Sequence, residues 1–452
     1  MSSQIASFRA HSKPLMKLAW PLIGSQIMQF AIGLTDAIML GRYSLEAFAA
    51  QVLGGSLFFI ILILGSGFAF GLQPVVANAH AKDDDQQIRR STRMAIWLVL
   101  IYATITVPIL LFAEQIFIAI GQDPDLSLQA HDYLKIMGFS IFPALLVNVF
   151  RSYLSALEQA GIILYVTIAS VTLNAGVNYL LIFGNFGFPE MGLRGAAVAS
   201  LFVHTTSFLV LAIYAGRKNR NHSLFQRFWR SDPEAFWGVF KLGWPIGVTV
   251  LAEVGMFTTA SVMVGWVSVV ELGAHGIALQ VASLSFMFHL GLSHAVTVRA
   301  GNAHGRDDWE GLRAGAKVAL VISFTVALLA SITFFLFPEI LLLAFVSPDE
   351  PNLETLIQRG TTLLYIAAAF QFVDALQVMG TGLLRGLQDT KIPMYFATFS
   401  YWGIGVTSGY VLGVVVGWDA VGVWLGLTLG LTSATILMLG RFRILAQGPA
   451  QA

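Results

Sequence analysis

The sequence predicts an all-α polytopic membrane protein with twelve transmembrane helices in two parallel six-helix repeats. Three observations lead to this fold class: the composition, the number of long apolar segments and an internal repeat. Of the 452 residues, 56% are hydrophobic and only 11% are charged, whereas charged residues make up about 25% of an ordinary soluble protein. A chain of this composition is expected to lie largely within a bilayer.

Twelve apolar segments, each of roughly 20 residues or more, are long enough to cross a hydrocarbon layer about 30 Å thick. They lack the alternating pattern of barrel strands, and helices satisfy their own backbone hydrogen bonds in lipid. We therefore expect helices near residues 15–41, 47–75, 93–113, 133–154, 161–184, 193–215, 237–266, 276–300, 314–338, 358–384, 393–417 and 420–441.

An internal repeat divides these helices into two halves. The motif KLAWP at residues 17–21 returns as KLGWP at residues 241–245, and NAHAKDD at residues 78–84 returns as NAHGRDD at residues 302–308 with the same spacing. Six helices per half is an even number, so both halves enter the membrane from the same side and form parallel repeats. We expect an N-terminal six-helix lobe over residues 1–215, a cytoplasmic linker over residues 216–236 and a C-terminal six-helix lobe over residues 237–452.

The basic residues predict the orientation of the chain. With both termini on one side of the membrane, that side holds 22 of the 26 Lys and Arg residues, leaving only Arg42, Lys135, Arg194 and Arg359 on the other. Loops rich in Lys and Arg stay in the cytoplasm. Both termini are therefore expected to be cytoplasmic.

Three carboxylates, Asp36, Glu253 and Asp374, fall inside predicted helices. A charge in the bilayer interior costs several kcal/mol, so such acids usually face a cavity or a partner and often handle ions or protons. No Lys or Arg is expected at the same depth to neutralise them. These three acids are the candidate cation-coupling residues.

Helical spacing and the repeat refine this set. The repeat pairs Gln29 with Glu253, so the two halves differ in charge at this position. On the tenth predicted helix, Gln371, Asp374 and Gln377 share one polar face. We regard Gln29, Gln371 and Gln377 as residues that line a substrate cavity or support the acids.

Other polar positions are more ambiguous. Asn174 and Asn178 lie four residues apart on one face of the fifth predicted helix, where they could line a cavity or bond to a neighbouring helix. His289 could titrate near neutral pH, but a single histidine is more often a hydrogen-bonded structural residue. A ridge formed by Gly409, Gly413 and Gly417 is typical of helix packing.

Several classes of function lack their motifs in this sequence. No phosphate-binding loop and no zinc motif occurs, and no sizeable soluble domain is expected. We therefore predict no cofactor, no nucleic-acid partner and no enzymatic activity. Buried carboxylates without an ATPase indicate transport coupled to an ion gradient.

Four segments form a recognisable set: GLTDAIM at residues 33–39, NYLLIFG at residues 178–184, LAEV at residues 251–254 and, most specifically, QFVDALQV at residues 371–378. Together they resemble the multidrug and toxic compound extrusion (MATE) family, in particular its NorM-type bacterial branch. The resemblance covers nearly the whole chain.

This resemblance implies a V-shaped pair of six-helix lobes in the bacterial cytoplasmic (inner) membrane, exporting amphiphilic or cationic drugs in exchange for sodium ions or protons. It implies a C-terminal cation site, able to hold sodium, at Glu253 and Asp374, and a coupling or substrate role for Asp36. Phe370 stands where some NorM-type proteins have a tyrosine, and its ring can still attract a cation. We expect the protein to act as a monomer whose partners are small molecules and the lipid bilayer.

Three alternatives are open at this stage. A lipid-linked oligosaccharide flippase of the same superfamily would need basic residues in its cavity, and none is expected at mid-membrane depth. An intramembrane enzyme would need a nucleophile or metal beside the acids. It is less favoured because the sequence shows no histidine cluster, metal motif or Ser-His pairing. A gated channel or structural subunit would differ from a transporter in its response to ion gradients.

Overall fold

The computed structural model describes residues 2–346 and 351–448 of the chain. In the described residues the chain is helical, without strands, and a long helix covers each of the twelve predicted membrane spans. The twelve long helices are α1 (Ser2–Tyr43), α2 (Leu45–Ala81), α3 (Asp85–Leu111), α4 (Pro124–Ala156), α5 (Ala160–Leu181), α6 (Gly192–Lys218), α7 (Pro233–Gly265), α8 (Val269–Gly305), α9 (Trp309–Leu336), α10 (Leu353–Gly386), α11 (residues 391–415) and α12 (Asp419–Leu445).

Eleven of these helices are long and apolar enough to be continuous membrane spans, and α11 is the exception. Its residues Phe399–Val406 and Val411–Val415 are π-helical, separated by a short α-helical segment. Wider turns of this kind are rare and usually brief. The predicted eleventh span is thus present, but with a backbone geometry that apolar length alone does not predict.

The repeat is preserved in the helix caps. Ser44 accepts a hydrogen bond from the Ala47 amide at the start of α2, and Ser268 accepts one from the Glu271 amide at the start of α8. Asp84 and Asp308 cap α3 and α9 in the same way, each by accepting a backbone N–H bond of 2.8 Å. Caps of this type satisfy amides that a helix leaves free at its first turn. The same local signals therefore begin corresponding helices in both halves.

The chain forms two compact units, one of residues 24–247 and one of residues 1–23 with 248–452. In the first unit α2 packs against α3 and α4, and α5 packs against α6. In the second unit α10 is central and packs against α8, α9 and α12. The lobe boundaries expected at residues 215 and 237 stay a prediction.

The connection between α6 and α7 lies against α3 within the first unit. Arg93 donates hydrogen bonds to the carbonyls of Ser223 and Leu224, both at 2.8 Å. Arg90 forms an ion pair with Asp232, and this guanidinium lowers the pKa of the Asp232 carboxyl. The predicted linker is therefore attached to the bundle through its basic third helix. Met1 and residues 449–452 lie outside the described residues, so the cytoplasmic placement of the termini stays a prediction.

Candidate functional site

The second unit brings together a group of side chains from three helices, which we call the C-terminal acid cluster: Glu253, Asp374, Arg385 and Tyr401. Asp374 on α10 is 2% exposed and Tyr401 on α11 is fully buried. Glu253 on α7 interacts electrostatically with Asp374 and with Arg385. Two acids thus share one electrostatic environment, and one arginine offsets part of their charge.

The polar atoms around this cluster have few partners. Gln377 donates to the Tyr401 hydroxyl at 2.5 Å and to Thr381 at 3.1 Å. Within the described residues, however, the Gln377 side-chain oxygen, one Glu253 carboxylate oxygen and both polar atoms of Gln371 are buried without a hydrogen-bond partner. Each such group costs about 1–3 kcal/mol. Buried oxygens in this state are suited to a ligand that brings positive charge.

The described residues contain no group of three or more Asp, Glu or His side chains arranged to hold a metal ion. The sodium site expected at Glu253 and Asp374 therefore stays a prediction. Its oxygen-rich surroundings, which include Tyr401 and Gln377, suit a hard cation.

Phe370, on the same helix as Asp374, is buried in an aromatic group. Its ring lies 6.2 Å from that of Phe257 and 5.6 Å from that of Trp424, both edge to face. Trp424 in turn donates its indole N–H to His275 at 3.0 Å. The ring proposed from the sequence as a cation contact is thus fixed in orientation by its aromatic neighbours.

His289 on α8 lies inside the second unit and is fully buried. Its Nδ1 lies 2.9 Å from the Ser323 hydroxyl and its Nε2 lies 3.4 Å from the Ser285 hydroxyl. Both ring nitrogens therefore have partners. This geometry favours a structural histidine over a cavity residue.

The first unit holds a separate acid site around Asp36. Its Oδ1 accepts hydrogen bonds from the side-chain amides of Asn178 at 2.6 Å and Asn174 at 3.0 Å. Ser200 on α6 also bonds to the carboxyl group. The two asparagines are fully buried, so the face that they form on α5 meets the acid on α1. Of the two readings that the sequence allowed, bonding to a neighbouring helix describes this contact.

Gln29 on α1 has a partner that the sequence analysis did not predict. Arg151 on α4 donates hydrogen bonds to the side chains of Gln29, Gln26 and Ser25, the last two at 2.9 Å and 3.1 Å. Gln29 is itself exposed on the surface of the first unit. The positively charged Arg151 side chain is therefore held by neutral oxygens in this site.

The expectation that no Lys or Arg would lie at the depth of the acids to neutralise them needs one correction, at Glu253. Arg385 interacts with Glu253, and Arg151 contacts the first helix beside the position that the repeat pairs with Glu253. Arg151 lies five residues and Arg385 one residue before the C-terminal end of its helix. The sequence predicts that both of these ends are cytoplasmic. Helical side chains tilt toward the N-terminus of the helix, so these two guanidinium groups reach inward from positions near the ends.

Two six-helix repeats with acids and amides inside their apolar helices define a multi-pass membrane transporter. Comparison with known proteins identifies the family. A model of the MatE family matches residues 21–180 and 245–411, and the chain therefore belongs to the MatE family, whose members are transporters and not enzymes.

Curated relatives extend over almost the full chain. It is 44% identical over 438 residues to a protein of Rhizobium meliloti named "Probable multidrug resistance protein NorM", covering 96% of this chain and 94% of that one. It is 41% identical to a protein of the same name from Agrobacterium fabrum, with 98% and 95% covered. The resemblance to NorM-type bacterial members predicted from the sequence is confirmed.

Solved structures support the fold. An outward-facing multidrug resistance MATE family transporter superposes with a TM-score of 0.88 at 18% identity, covering 96% of each chain. The eukaryotic MATE transporter AtDTX14 superposes with a TM-score of 0.85 at 17% identity, covering 97% of this chain and 96% of that one. At these identities the likeness concerns the fold alone.

Proposed function

We propose that this protein is a secondary active multidrug efflux antiporter that exports amphiphilic or cationic compounds in exchange for sodium ions or protons. The observation that carries the proposal is the pair of electrostatically coupled acids, Glu253 and Asp374, among buried polar atoms that lack partners. The multidrug resistance names of the NorM relatives support the same substrate class.

The proposed coupling follows from the charge of the C-terminal acid cluster. Two nearby carboxylates repel each other, so binding a sodium ion or a proton stabilises the pair. The single positive charge of Arg385 offsets only one of the two acids. A bound cation can drive transport by alternating access only if it binds the outward-facing and inward-facing states with different affinity. In this scheme the cation enters from outside, the drug leaves, and the cation is released inside.

Asp36 provides a second charged position for this cycle. Its hydrogen bonds from Asn174 and Asn178 stabilise the carboxylate in the first unit. We assign it a coupling or substrate role in that unit, distinct from the acid pair. Gln29, Gln371, Gln377, Phe370 and His289 are proposed to have supporting roles.

The test is dye export from proteoliposomes carrying Asp374→Asn or Glu253→Gln. We expect each variant to lose at least about tenfold in gradient-driven export, because each removes one negative charge from the proposed cation site. Glu354→Gln is the matched control, since Glu354 is an exposed acid on the same helix as Asp374. Export at the parental rate by both site variants would refute the proposal.

Export measured in the same vesicles identifies the coupling ion. Export is measured under a sodium gradient at equal pH and under a pH gradient without sodium. The gradient that drives export identifies the ion, while export without either gradient would favour a channel.

A lipid-linked oligosaccharide flippase is the second candidate. One observation favours it: Arg151 and Arg385 bring basic groups near the polar side chains of the membrane helices, although both lie toward the ends of their helices. The acids of the second unit still outnumber Arg385, and the relatives carry multidrug names. Scrambling of a lipid-linked saccharide by the reconstituted protein, without dye export, would select the flippase.

We also propose that the transporter acts as a monomer in the bacterial inner membrane, with both termini in the cytoplasm. The bias of basic residues toward one side supports this orientation.

A further inference from the structure

Arg151 is a positive charge without an anionic partner among the described residues. Its three side-chain contacts are neutral oxygens of Ser25, Gln26 and Gln29. An ionised group inside a transmembrane helix is costly and is normally paired with an opposite charge or turned toward water. The site therefore has a charge that a ligand could neutralise.

The repeat shows how unusual this arrangement is within the same chain. Gln29 stands at the position that the repeat pairs with Glu253. In the second unit Glu253 interacts with Arg385, whereas in the first unit an amide replaces the acid beside Arg151. Each unit thus brings an arginine toward the same position of its first repeat helix, but only the second unit compensates that charge.

The hydrogen bonds of Arg151 do not use all of its donors. The contacts of Arg151 use Nη1 once and Nη2 twice, so two of its five N–H groups, on Nη1 and Nε, remain available. Gln29 is exposed on its unit and Arg151 is only partly buried. Exposing the Arg151–Gln29 pair to lipid would cost free energy, because polar groups in the bilayer normally face protein or water. We therefore infer that water and solutes reach this surface.

We propose that Arg151, with Gln26 and Gln29, is an anion subsite that binds the carboxylate of zwitterionic amphiphiles. A planar guanidinium matches a carboxylate, and a single arginine suits a single negative charge, whereas lipid phosphates usually gather several basic residues. Asp36 lies two turns beyond Gln29 on α1, a rise of about 10 Å at 1.5 Å per residue, which is a span that the cationic end of the same molecule could bridge. The inference rests on the proposed efflux function and assigns a contact for the carboxylate of those amphiphilic substrates that carry one.

The test uses two dyes that differ in one group: a rhodamine with a free carboxyl group and the methyl ester of the same rhodamine. Binding to the purified full chain is followed by fluorescence anisotropy. We expect Arg151→Gln to weaken binding of the acid about tenfold or more, because a charge-assisted contact is lost, and to change binding of the ester by no more than about twofold. Arg443→Gln, which removes an exposed positive charge at the end of α12, should change neither.

Gln29→Glu provides a second variant that keeps Arg151. The new carboxylate would pair with Arg151 and compete with the carboxyl group of the dye. Relative to the parent protein, binding of the acid should therefore weaken about tenfold more than binding of the ester. An equal change for both dyes in the two variants would overturn the inference. So would loss of a co-purified anionic lipid with unchanged dye binding. Failure of the parent to export either dye, with the binding difference intact, would instead contradict the efflux function.

Discussion

Asp36 owes its setting to two amides on one face of α5. Asn178 and Asn174 donate to the same carboxylate oxygen, and hydrogen bonds to a charged group contribute more than neutral ones, about 1.5–3 kcal/mol. The sequence showed that these residues share a helical face, because a spacing of four residues is enough for that. It could not show that the face meets Asp36, since this depends on how α1 and α5 pack.

A double-mutant cycle measures this contact. We expect Asn178→Ala and Asp36→Ala to show a coupling free energy of about 1 kcal/mol or more in thermal or denaturant unfolding of the purified protein, because each change removes the same charge-assisted bond. Asn185, in the turn after α5, donates a hydrogen bond to the Tyr179 carbonyl, so Asn185→Ala with Asp36→Ala is the matched control pair. Equal coupling in the two cycles would mean that the Asn178 contact carries no specific energy.

At the scale of helices, the packing of α11 against α12 depends on glycines. A Cβ atom at Gly426 would overlap the backbone of Gly409, and one at Gly430 would lie 2.7 Å from the Cα of Gly405. Gly409 and Gly413 of the predicted ridge thus lie at this contact, while Gly417 has φ of 82° in the turn that follows α11. Small residues allow helix backbones in a membrane to approach closely.

Gly426→Ala tests this contact. The added methyl group must push the two helices apart, and overpacking of this kind costs about 1–3 kcal/mol. We therefore expect a clear loss of thermal stability in detergent. A Cβ at Gly440, on the same helix, meets nothing within 4 Å, so Gly440→Ala should be neutral or slightly stabilising through helix propensity. Similar melting temperatures for the two variants would contradict the close packing.

These elements also show what could be predicted from the sequence. Hydrophobic length predicted each span, and the acids were found because carboxylates are rare in apolar helices. The π-helical turns of α11 were missed because they leave apolar length and composition unchanged. Arg151 and Arg385 were missed as members of the sites because their positions near helix ends resemble those of ordinary flanking charges. The repeat could not identify them either, because its offset places Ala375 opposite Arg151 and Gly161 opposite Arg385.

At the scale of the whole chain, the repeat and the basic residues together predict one topology. Gln86 and Glu310 occupy corresponding exposed positions of the two repeats, at the starts of α3 and α9. If the repeats are parallel, both positions lie in the cytoplasm. Gln122 lies in the connection between α3 and α4, which the positive-inside rule places on the opposite side.

The chain contains no cysteine, so single substitutions report this topology without background. We expect a membrane-impermeant maleimide to label Gln122→Cys in cells whose cytoplasmic membrane is intact. Gln86→Cys and Glu310→Cys should be labelled only after that membrane is permeabilised, because Lys-rich and Arg-rich loops are retained in the cytoplasm. Labelling of Glu310→Cys from outside, with Gln86→Cys protected, would mean that the halves are inverted rather than parallel. Labelling of both from outside, with Gln122→Cys protected, would reverse the whole orientation and place the proposed cation entry on the other side of the membrane.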